Sequence, residues 1–321
     1  MSFLSICTAE TIKSAAFALK RGHLVAFPTE TVYGLGADAT NPEAIAAIYA
    51  AKGRPADHPL IVHISSLQEM GQWAQDISGY AITLARDFWP GPMTLVLKRS
   101  SLAKDFITGG QDTIALRVPA HPIALALLNE FAAVGGKGVA APSANRFGAV
   151  SPTTAEAVEE ELAPYLSESD LILNGGQSLV GVESTIIDCT GPAPMILRLG
   201  AITPLMIEES TGLIALESNP SAIRTSGSLD SHYSPKAEVI LDVVAVAGDG
   251  LIAPDQIPTP NGVIRLAAPS TIEEYARVLY GALRSADQKG LEVVVVLQPG
   301  GDGLAAAIRD RLGRSASNKQ V

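Results

Sequence analysis

The sequence predicts a two-domain α/β protein, and three observations point to this class. The chain has 321 residues, which is about twice the length of an average domain. Hydrophobic residues make up 47% of it and aromatic residues only 5%, a composition that suits helices packed on a sheet rich in Val and Ile. Short apolar runs also alternate with helix-like segments along most of the chain.

The first 210 residues contain most of the predicted elements. Apolar residues at helical spacing predict a helix over 9–21, and a second helix over 42–52 has Asn41 as its cap, Pro42 in its first turn and Gly53 at its end. Further helices are predicted near 78–88, 121–132 and 153–162. Short apolar runs predict strands at 24–27, 60–64, 94–97, 113–118, 138–141, 171–173 and 184–188.

A second, smaller unit follows a linker. Residues 216–235 are rich in Ser, Pro, Asn and Gly, which is the composition of a linker. Beyond them, strands are predicted at 239–241, 262–264 and 292–297, and helices at 271–286 and 304–312. We therefore predict an α/β domain over 1–210, a linker over 211–236 and a small α/β domain over 237–321.

Composition excludes several classes of protein. The net charge of −10 argues against a general nucleic-acid binder. No apolar run approaches the ~20 residues that a membrane-spanning helix needs, and the N-terminal residues lack a signal-peptide pattern. Cys7 and Cys189 stand alone, and two thiols cannot build a disulfide framework. We expect a cytoplasmic protein that does not enter a membrane.

The familiar nucleotide-binding and hydrolase motifs are missing from the sequence. Instead, polar and cationic residues gather at the ends of predicted strands in five clusters. The first is Pro28–Gly36, which combines hydroxyls, a carboxylate and two glycines after a buried strand. It could bring backbone amides close to a ligand, or it could be a plain loop with turn glycines.

Two clusters contain cations. Lys52 and Arg54 stand two residues apart at a helix end, where they could bind an anion together or simply complement the helix dipole. Arg117 lies inside an otherwise apolar strand. A cation there needs either a ligand or a structural salt bridge with an inward-facing acid.

The last two clusters are built of hydroxyl and amide groups. Pro142–Asn145, with Ser151 downstream, could bind a base, ribose or phosphate, although Ser and Asn are also ordinary turn residues. Gly181–Asp188 places hydroxyls at the start of a strand, and Arg198 lies at the end of the next one. Together the five clusters predict a net cationic cleft for an anionic ligand inside a net acidic domain.

These segments closely resemble the threonylcarbamoyl-AMP synthase family in its long, two-domain form. The first domain matches at Pro28–Gly36, Lys52–Pro55, Pro59–Ile64, Phe88–Leu97, Arg117–Pro119, Pro142–Asn145 and Gly181–Asp188. The linker matches at Ser226-Gly227 and at His232-Tyr233-Ser234-Pro235, and residues 272–314 resemble the C-terminal domain. Motifs in this order at these separations are far more specific than any one of them.

The resemblance implies a fold and a reaction. The first domain would be a YrdC-like twisted open sheet with a concave cavity, and the second a small Rossmann-like α/β domain. The enzyme would be a nucleotidyltransferase that makes threonylcarbamoyl-AMP and pyrophosphate from L-threonine, bicarbonate and ATP. Mg²⁺ would accompany ATP without a metal site in the protein. A separate transferase complex would use the product to modify adenosine 37 of tRNA, so direct tRNA binding would be weak or absent.

The resemblance also assigns roles to residues of the clusters. Lys52 and Arg54 would be catalytic and would hold the phosphates and the carbamate. ATP would be bound by Arg54, His58, Thr113, Ser143, Asn145, Ser151, Arg198, His232 and Tyr233. L-threonine would be bound by Thr31, His63, Arg117 and Ser184. His232 or Tyr233 would close over the nucleotide and exclude water from a labile adenylate.

Two other functions stay open on the sequence alone. An RNA-binding or ribosome-assembly module could use the same concave fold, but the acidic net charge disfavours RNA. A carbamoyl-transfer enzyme related to the hydrogenase-maturation carbamoyltransferases would share the first domain. Those enzymes carry zinc fingers, for which this chain has too few cysteines.

Overall fold

The structure, a computed structural model, describes residues 3–217, 223–225 and 233–316. Within these ranges the strands form two separate sheets, one of eleven strands and one of four. The predicted α/β fold with a second, smaller sheet is thus confirmed. Across the same ranges, no helix has the length and apolar character to cross a membrane. The predicted linker residues Ser226, Gly227 and His232 lie outside the described residues.

The large sheet mixes parallel and antiparallel pairs. Its strands are β1 (Leu4–Ile6), β2 (Val25–Phe27), β3 (Gly34–Asp38), β4 (Ile61–His63), β5 (Met93–Lys98), β6 (Thr113–Arg117), β7 (Val139–Ala140), β8 (Leu171–Asn174), β9 (Thr185–Asp188), β10 (Met195–Arg198) and β11 (Leu216–Glu217). Their order across the sheet is β1-β8-β2-β3-β7-β4-β6-β5-β9-β10-β11. Because β4 runs parallel to β6 in register, His63 at the end of one strand lies beside Arg117 at the end of the other.

Helices cover this sheet, and one of them ends at Lys52, a candidate site residue. They are α1 (Ala9–Lys20), α2 (Pro42–Lys52), α3 (Met70–Trp73), α4 (Gly79–Phe88), α5 (Asp105–Thr108), α6 (Pro122–Ala133), α7 (Ala155–Leu162) and α8 (Pro204–Thr211). The caps of α2 are as predicted: the Asn41 side chain accepts two backbone N–H groups, and Gly53 ends the helix with φ of 62°. A left-handed residue there is the usual helix stop, and it leaves Lys52 as the last helical residue.

The small sheet is entirely parallel. It contains β12 (Glu238–Leu241), β13 (Gly250–Ile252), β14 (Ile264–Ala267) and β15 (Val293–Val296) in the order β12-β15-β13-β14. Helices α9 (Ile272–Gln288) and α10 (Leu304–Ala316) pack on it. The apolar cluster of this unit also includes Val182 of the large domain and Tyr233 of the linker. The two domains therefore share part of one core.

Several strands were not predicted, among them β1, β13 and β11, which lies within the predicted linker. Another is β3, which begins with the last three residues of Pro28–Gly36, a segment for which a plain loop was one interpretation. Its glycine at position 36 is explained by close packing, because a Cβ there would lie 2.7 Å from Cγ1 of Val139 and 2.8 Å from Cε1 of Phe27. A glycine inside a strand often marks such an approach of neighbouring groups, and a pattern of local hydrophobicity does not reveal it.

We expect Gly36→Ala to lower the free energy of unfolding by about 1–3 kcal/mol, because the new methyl group overpacks a buried site. Gly79→Ala is the control, since no atom lies within 4 Å of a Cβ built there. The control should be neutral or stabilising by up to about 1 kcal/mol. Urea unfolding of both variants measures the difference, and equal midpoints would contradict the packing argument.

Candidate functional site

A half-enclosed cavity lies where β4 and β6 end and β9 begins, with about 620 Å³ of empty space including its open mouth. Nine of the residues assigned from the sequence line it: Thr31, Lys52, Arg54, His63, Arg117, Ser143, Ser184, Arg198 and Tyr233. Four of these are cations, whereas Glu183 is the one carboxylate among the described lining residues. The predicted net cationic cleft is therefore present in an acidic protein.

Lys52 is buried at the end of α2. Its Nζ donates to the backbone carbonyls of Ser143, at 2.6 Å, and of Asn145. Among the described residues, no carboxylate lies within ion-pair distance of it. Burial, and then the positive charge of Arg54, lower the pKa of Lys52 well below its usual value. An anionic ligand would reverse this effect, so the side chain is suited to respond to one.

Arg54 and His58 follow on the same loop. Nη2 of Arg54 donates to the carbonyl of Pro59 at 3.0 Å. Burial lowers the pKa of Arg54 to about 10, so the guanidinium stays charged near neutral pH. His58 does not line the cavity but packs edge-on against Phe147, which does, at a centroid distance of 5.4 Å. Burial and Arg54 lower the pKa of His58.

Arg117 both lines the cavity and forms the structural salt bridge considered from the sequence. Its Nη2 contacts Oε1 of Glu30 at 2.6 Å, Nη1 donates to the hydroxyl of Thr31 at 2.9 Å, and Nε donates to the carbonyl of Gly91 at 3.2 Å. Glu30 also accepts the backbone N–H of Ala120 at 3.0 Å. A guanidinium has five N–H donors, so two stay available on Arg117, one on each terminal nitrogen.

His63 is fully buried beside Arg117. Burial, and then the charge of Arg117, lower its pKa to about 3, so the imidazole is neutral at physiological pH. Its ring packs edge-on against Phe27 at 5.8 Å. Nδ1 of His63 has no hydrogen-bond partner within the part of the chain that the structure describes. His63 lines the cavity, so its ring lies within reach of a ligand bound there.

Ser184 and Arg198 form a pair in the lining of the cavity. Nε of Arg198 donates to the carbonyl of Ser184 at 3.0 Å, and Nη2 donates to its hydroxyl at 3.1 Å. The same hydroxyl lies 2.8 Å from the hydroxyl of Thr94. Burial lowers the pKa of Arg198. The serine hydroxyl is thereby oriented by a cation on one side and a second hydroxyl on the other.

Glu183 is a buried carboxylate that stays ionised. It accepts from the hydroxyl of Ser151 at 2.7 Å, the hydroxyl of Tyr280 at 2.8 Å and Nε of Arg311 at 2.9 Å. Burial alone would raise its pKa, but Arg311 and Arg198 outweigh this and lower the pKa to about 2. Its negative charge is therefore committed to partners from both domains.

Four assigned residues do not line the cavity. Ser151 is bound to Glu183, one layer behind the wall, and His58 lies behind Phe147. Asn145 is buried, and its side-chain amide donates to two backbone carbonyls. Its backbone carbonyl accepts a hydrogen bond from Lys52. Thr113 is at the far end of β6 from the cavity.

Thr113 lines a smaller neighbouring groove, which shares Ile61 with the main cavity. Arg224 and Thr225 of the linker also line this groove. Arg224 contacts Asp57 at 3.2 Å and donates to the carbonyl of Gly109 at 2.7 Å. The linker is thus attached beside the cavity at Arg224 and inside it at Tyr233.

The sequence assigned no role to Glu183, Tyr280 or Arg311. Glu183 lies next to Ser184 in the motif Gly181–Asp188. Membership of this motif is the one sequence feature that could have indicated a role for Glu183. Its partners are 97 and 128 residues away along the chain. No local pattern reveals a pairing over such a distance.

Two family models match consecutive parts of this chain. A model described as telomere recombination matches residues 17–200. A second, described as the C-terminal domain of threonylcarbamoyl-AMP synthase, matches residues 202–317. The first match contains β2–β10 of the large sheet, and the second contains the whole small sheet together with β11, the edge strand of the large sheet.

Curated relatives share the same organisation. The chain is 40% identical to the threonylcarbamoyl-AMP synthase of Pyrococcus abyssi, over 97% of this chain and 95% of that protein. It is 35% identical to the threonylcarbamoyl-AMP synthase of Bacillus subtilis, over 97% of this chain and 94% of that protein. The crystal structure of Pyrococcus abyssi Sua5 in complex with L-threonine matches with a TM-score of 0.88 at 37% identity, covering 98% of each chain. This chain therefore belongs to the threonylcarbamoyl-AMP synthase family, in its two-domain form.

Proposed function

We propose that this chain joins L-threonine, bicarbonate and ATP into threonylcarbamoyl-AMP and releases pyrophosphate, as a nucleotidyltransferase. The observation that supports this most strongly is the arrangement of Lys52, Arg54, Arg117 and Arg198 around one cavity. Such a concentration of buried positive charge is costly unless a ligand with several negative charges offsets it. A triphosphate and an amino-acid carboxylate together supply those charges.

We place L-threonine on the wall formed by Thr31, His63, Arg117 and Ser184. The two N–H donors of Arg117 that stay available suit the amino-acid carboxylate. The neutral His63, whose Nδ1 lacks a partner in the described part of the chain, is suited to the threonine hydroxyl. With its carboxylate and hydroxyl bound in this way, L-threonine would direct its amine toward the centre of the cavity.

We place the phosphates of ATP on Lys52, Arg54 and Arg198, with Ser143 beside them. The guanidinium groups bind oxyanions through paired N–H donors, whereas Lys52 acts as a point charge. Thr113, Asn145 and Ser151 stay proposed as ATP residues on the resemblance alone. Tyr233 already contacts the cavity, so we retain it as the part of the linker that covers the nucleotide.

The chemistry follows from this placement. The threonine amine adds to the carbon of bicarbonate, and water leaves to give a carbamate. If bicarbonate first takes up a proton and loses water to form carbon dioxide, the amine adds to that carbon and releases a proton to solvent. A carbamate oxygen then forms a bond to the α-phosphorus of ATP as the bond to pyrophosphate breaks. Lys52 and Arg54 offset repulsion between these anions and the charge that develops on the phosphates. Positioning and electrostatics are sufficient, because ATP itself supplies the leaving group.

Mg²⁺ has no protein ligand in this proposal. The cavity carboxylate Glu183 is already bound by Ser151, Tyr280 and Arg311. A magnesium ion that arrives with ATP would be held by phosphate oxygens and water, as is common for this ion. The product would pass to a separate tRNA-modifying complex, because the net charge of −10 gives this protein little affinity for tRNA itself.

We expect pyrophosphate release from ATP to require both L-threonine and bicarbonate. Lys52→Ala and Arg54→Ala should each lower the rate at least about 100-fold, because each removes a charge that faces the transferred group. Lys13→Ala, an exposed residue of α1, is the control and should keep the wild-type rate. A coupled pyrophosphate assay, with circular dichroism to verify folding, measures these effects.

Three outcomes would contradict the proposal. Release that does not depend on threonine would indicate another reaction, and near wild-type turnover in both site variants would remove the catalytic assignment. Tight tRNA binding at physiological salt without any ATP turnover would favour the RNA-binding alternative.

ATP binding should also take up a proton at Lys52. Burial lowers the pKa of Lys52 well below its usual value, and a nearby phosphate raises it again. The affinity for ATP should therefore fall as the pH rises from the lowered pKa of Lys52 in the free protein to its raised pKa in the ATP complex. Calorimetry in buffers of different ionisation enthalpy, repeated over a series of pH values at which the ATP phosphates are already ionised, measures the uptake. Lys52→Arg carries a permanent charge and should show none, and an equal uptake in both proteins would contradict the prediction.

A further inference from the structure

Arg311 of helix α10 is completely buried at the boundary between the two domains. Its Nε donates to Oε2 of Glu183 at 2.9 Å, and its Nη2 donates to the backbone carbonyl of Leu199 at 2.8 Å. Its Nη1 contacts the neighbouring Asp310 at 2.5 Å. One guanidinium from the small domain therefore holds two separate segments of the large domain.

Those two segments are the ones that form one wall of the cavity. Glu183 immediately precedes Ser184, and Leu199 immediately follows Arg198. Ser184 and Arg198 are themselves joined by two hydrogen bonds. Arg311 thus fixes the chain on both sides of this pair, without lining the cavity itself.

The same contacts place the linker tyrosine. Tyr233 stacks on Tyr280 of α9 with ring centroids 5.8 Å apart, and the guanidinium carbon of Arg311 lies 5.4 Å from the Tyr233 ring centroid. The hydroxyl of Ser315 donates to the backbone carbonyl of Tyr233 at 2.9 Å. Tyr280 also donates to Glu183 at 2.8 Å. Small-domain side chains therefore hold Tyr233 against the cavity.

We propose that Arg311 is a positioning residue for the reaction: through Glu183 and Leu199 it sets the placement of Ser184 and Arg198. The inference rests on the proposed function, because it assumes that this wall binds substrate. A planar fork of donors suits two acceptors on different segments, whereas a lysine ammonium cannot reach both in the same geometry. The small domain is then part of the active site, although none of its helices reaches the cavity.

The test compares Arg311→Lys with Arg309→Lys. Arg309 lies on the same helix but donates to Pro299 within the small domain, so its variant should stay within twofold of wild type. For Arg311→Lys we expect the KM values for L-threonine and ATP to rise about tenfold, because misplaced binding groups weaken substrate binding. A variant that is only less stable would lose active molecules, which lowers kcat and leaves KM unchanged.

Tyr280→Phe keeps the test decisive if Arg311→Lys does not fold. It retains the ring stacked on Tyr233 and removes only the hydroxyl that donates to Glu183. We expect the same KM values to rise about threefold. KM values within twofold of wild type, in whichever of these variants folds by circular dichroism, would overturn the inference. Loss of threonine-dependent pyrophosphate release in the wild type would instead overturn the proposed function.

Discussion

Four cationic side chains surround one cavity and are largely removed from water. A buried cation is costly unless polar groups replace its lost hydration. The polar groups that bind each cation therefore determine the arrangement of the site. Lys52 is held by backbone carbonyls rather than by a carboxylate, so its charge is not cancelled before a ligand arrives. Those carbonyls are kept in place because two groups of the same loop donate hydrogen bonds to the last turn of α2. The backbone N–H of Phe147 donates to the carbonyl of Lys52, and Nη1 of Arg146 donates to the carbonyl of Ala51. Helix end, loop and cation therefore depend on one another.

Two carboxylates near the cavity, Glu30 and Glu183, hold its lining residues in place. Glu30 fixes Arg117, and Glu183 joins the large domain to Arg311 and Tyr280 of the small one. Both oxygens of each carboxylate accept hydrogen bonds, so neither carboxylate is left to compete with an anionic substrate for the cavity cations. This separates the charge of the site from the net charge of −10 of the whole chain. A cationic cavity in an acidic protein suits the binding of small anions.

Much of the fold follows from local sequence, and the exceptions have physical causes. Helix α2 is predictable because its cap residues lie within it or beside it. Strand β3 is not, because Gly36 reflects the approach of Val139 and Phe27 from other strands. The clusters at strand ends predict the cavity, since neighbouring strands bring their ends together. Sequence cannot predict that Glu183 bonds to Arg311, 128 residues away, because only the docking of the second domain brings them into contact.

We propose that the cavity unites three substrates in one product. Mass spectrometry of the reaction with ¹³C-labelled bicarbonate, L-threonine and ATP can detect that product. We expect a compound that contains threonine, AMP and one labelled carbon, and that is absent when any substrate is omitted. Formation of AMP or ADP without incorporation of the labelled carbon would contradict it.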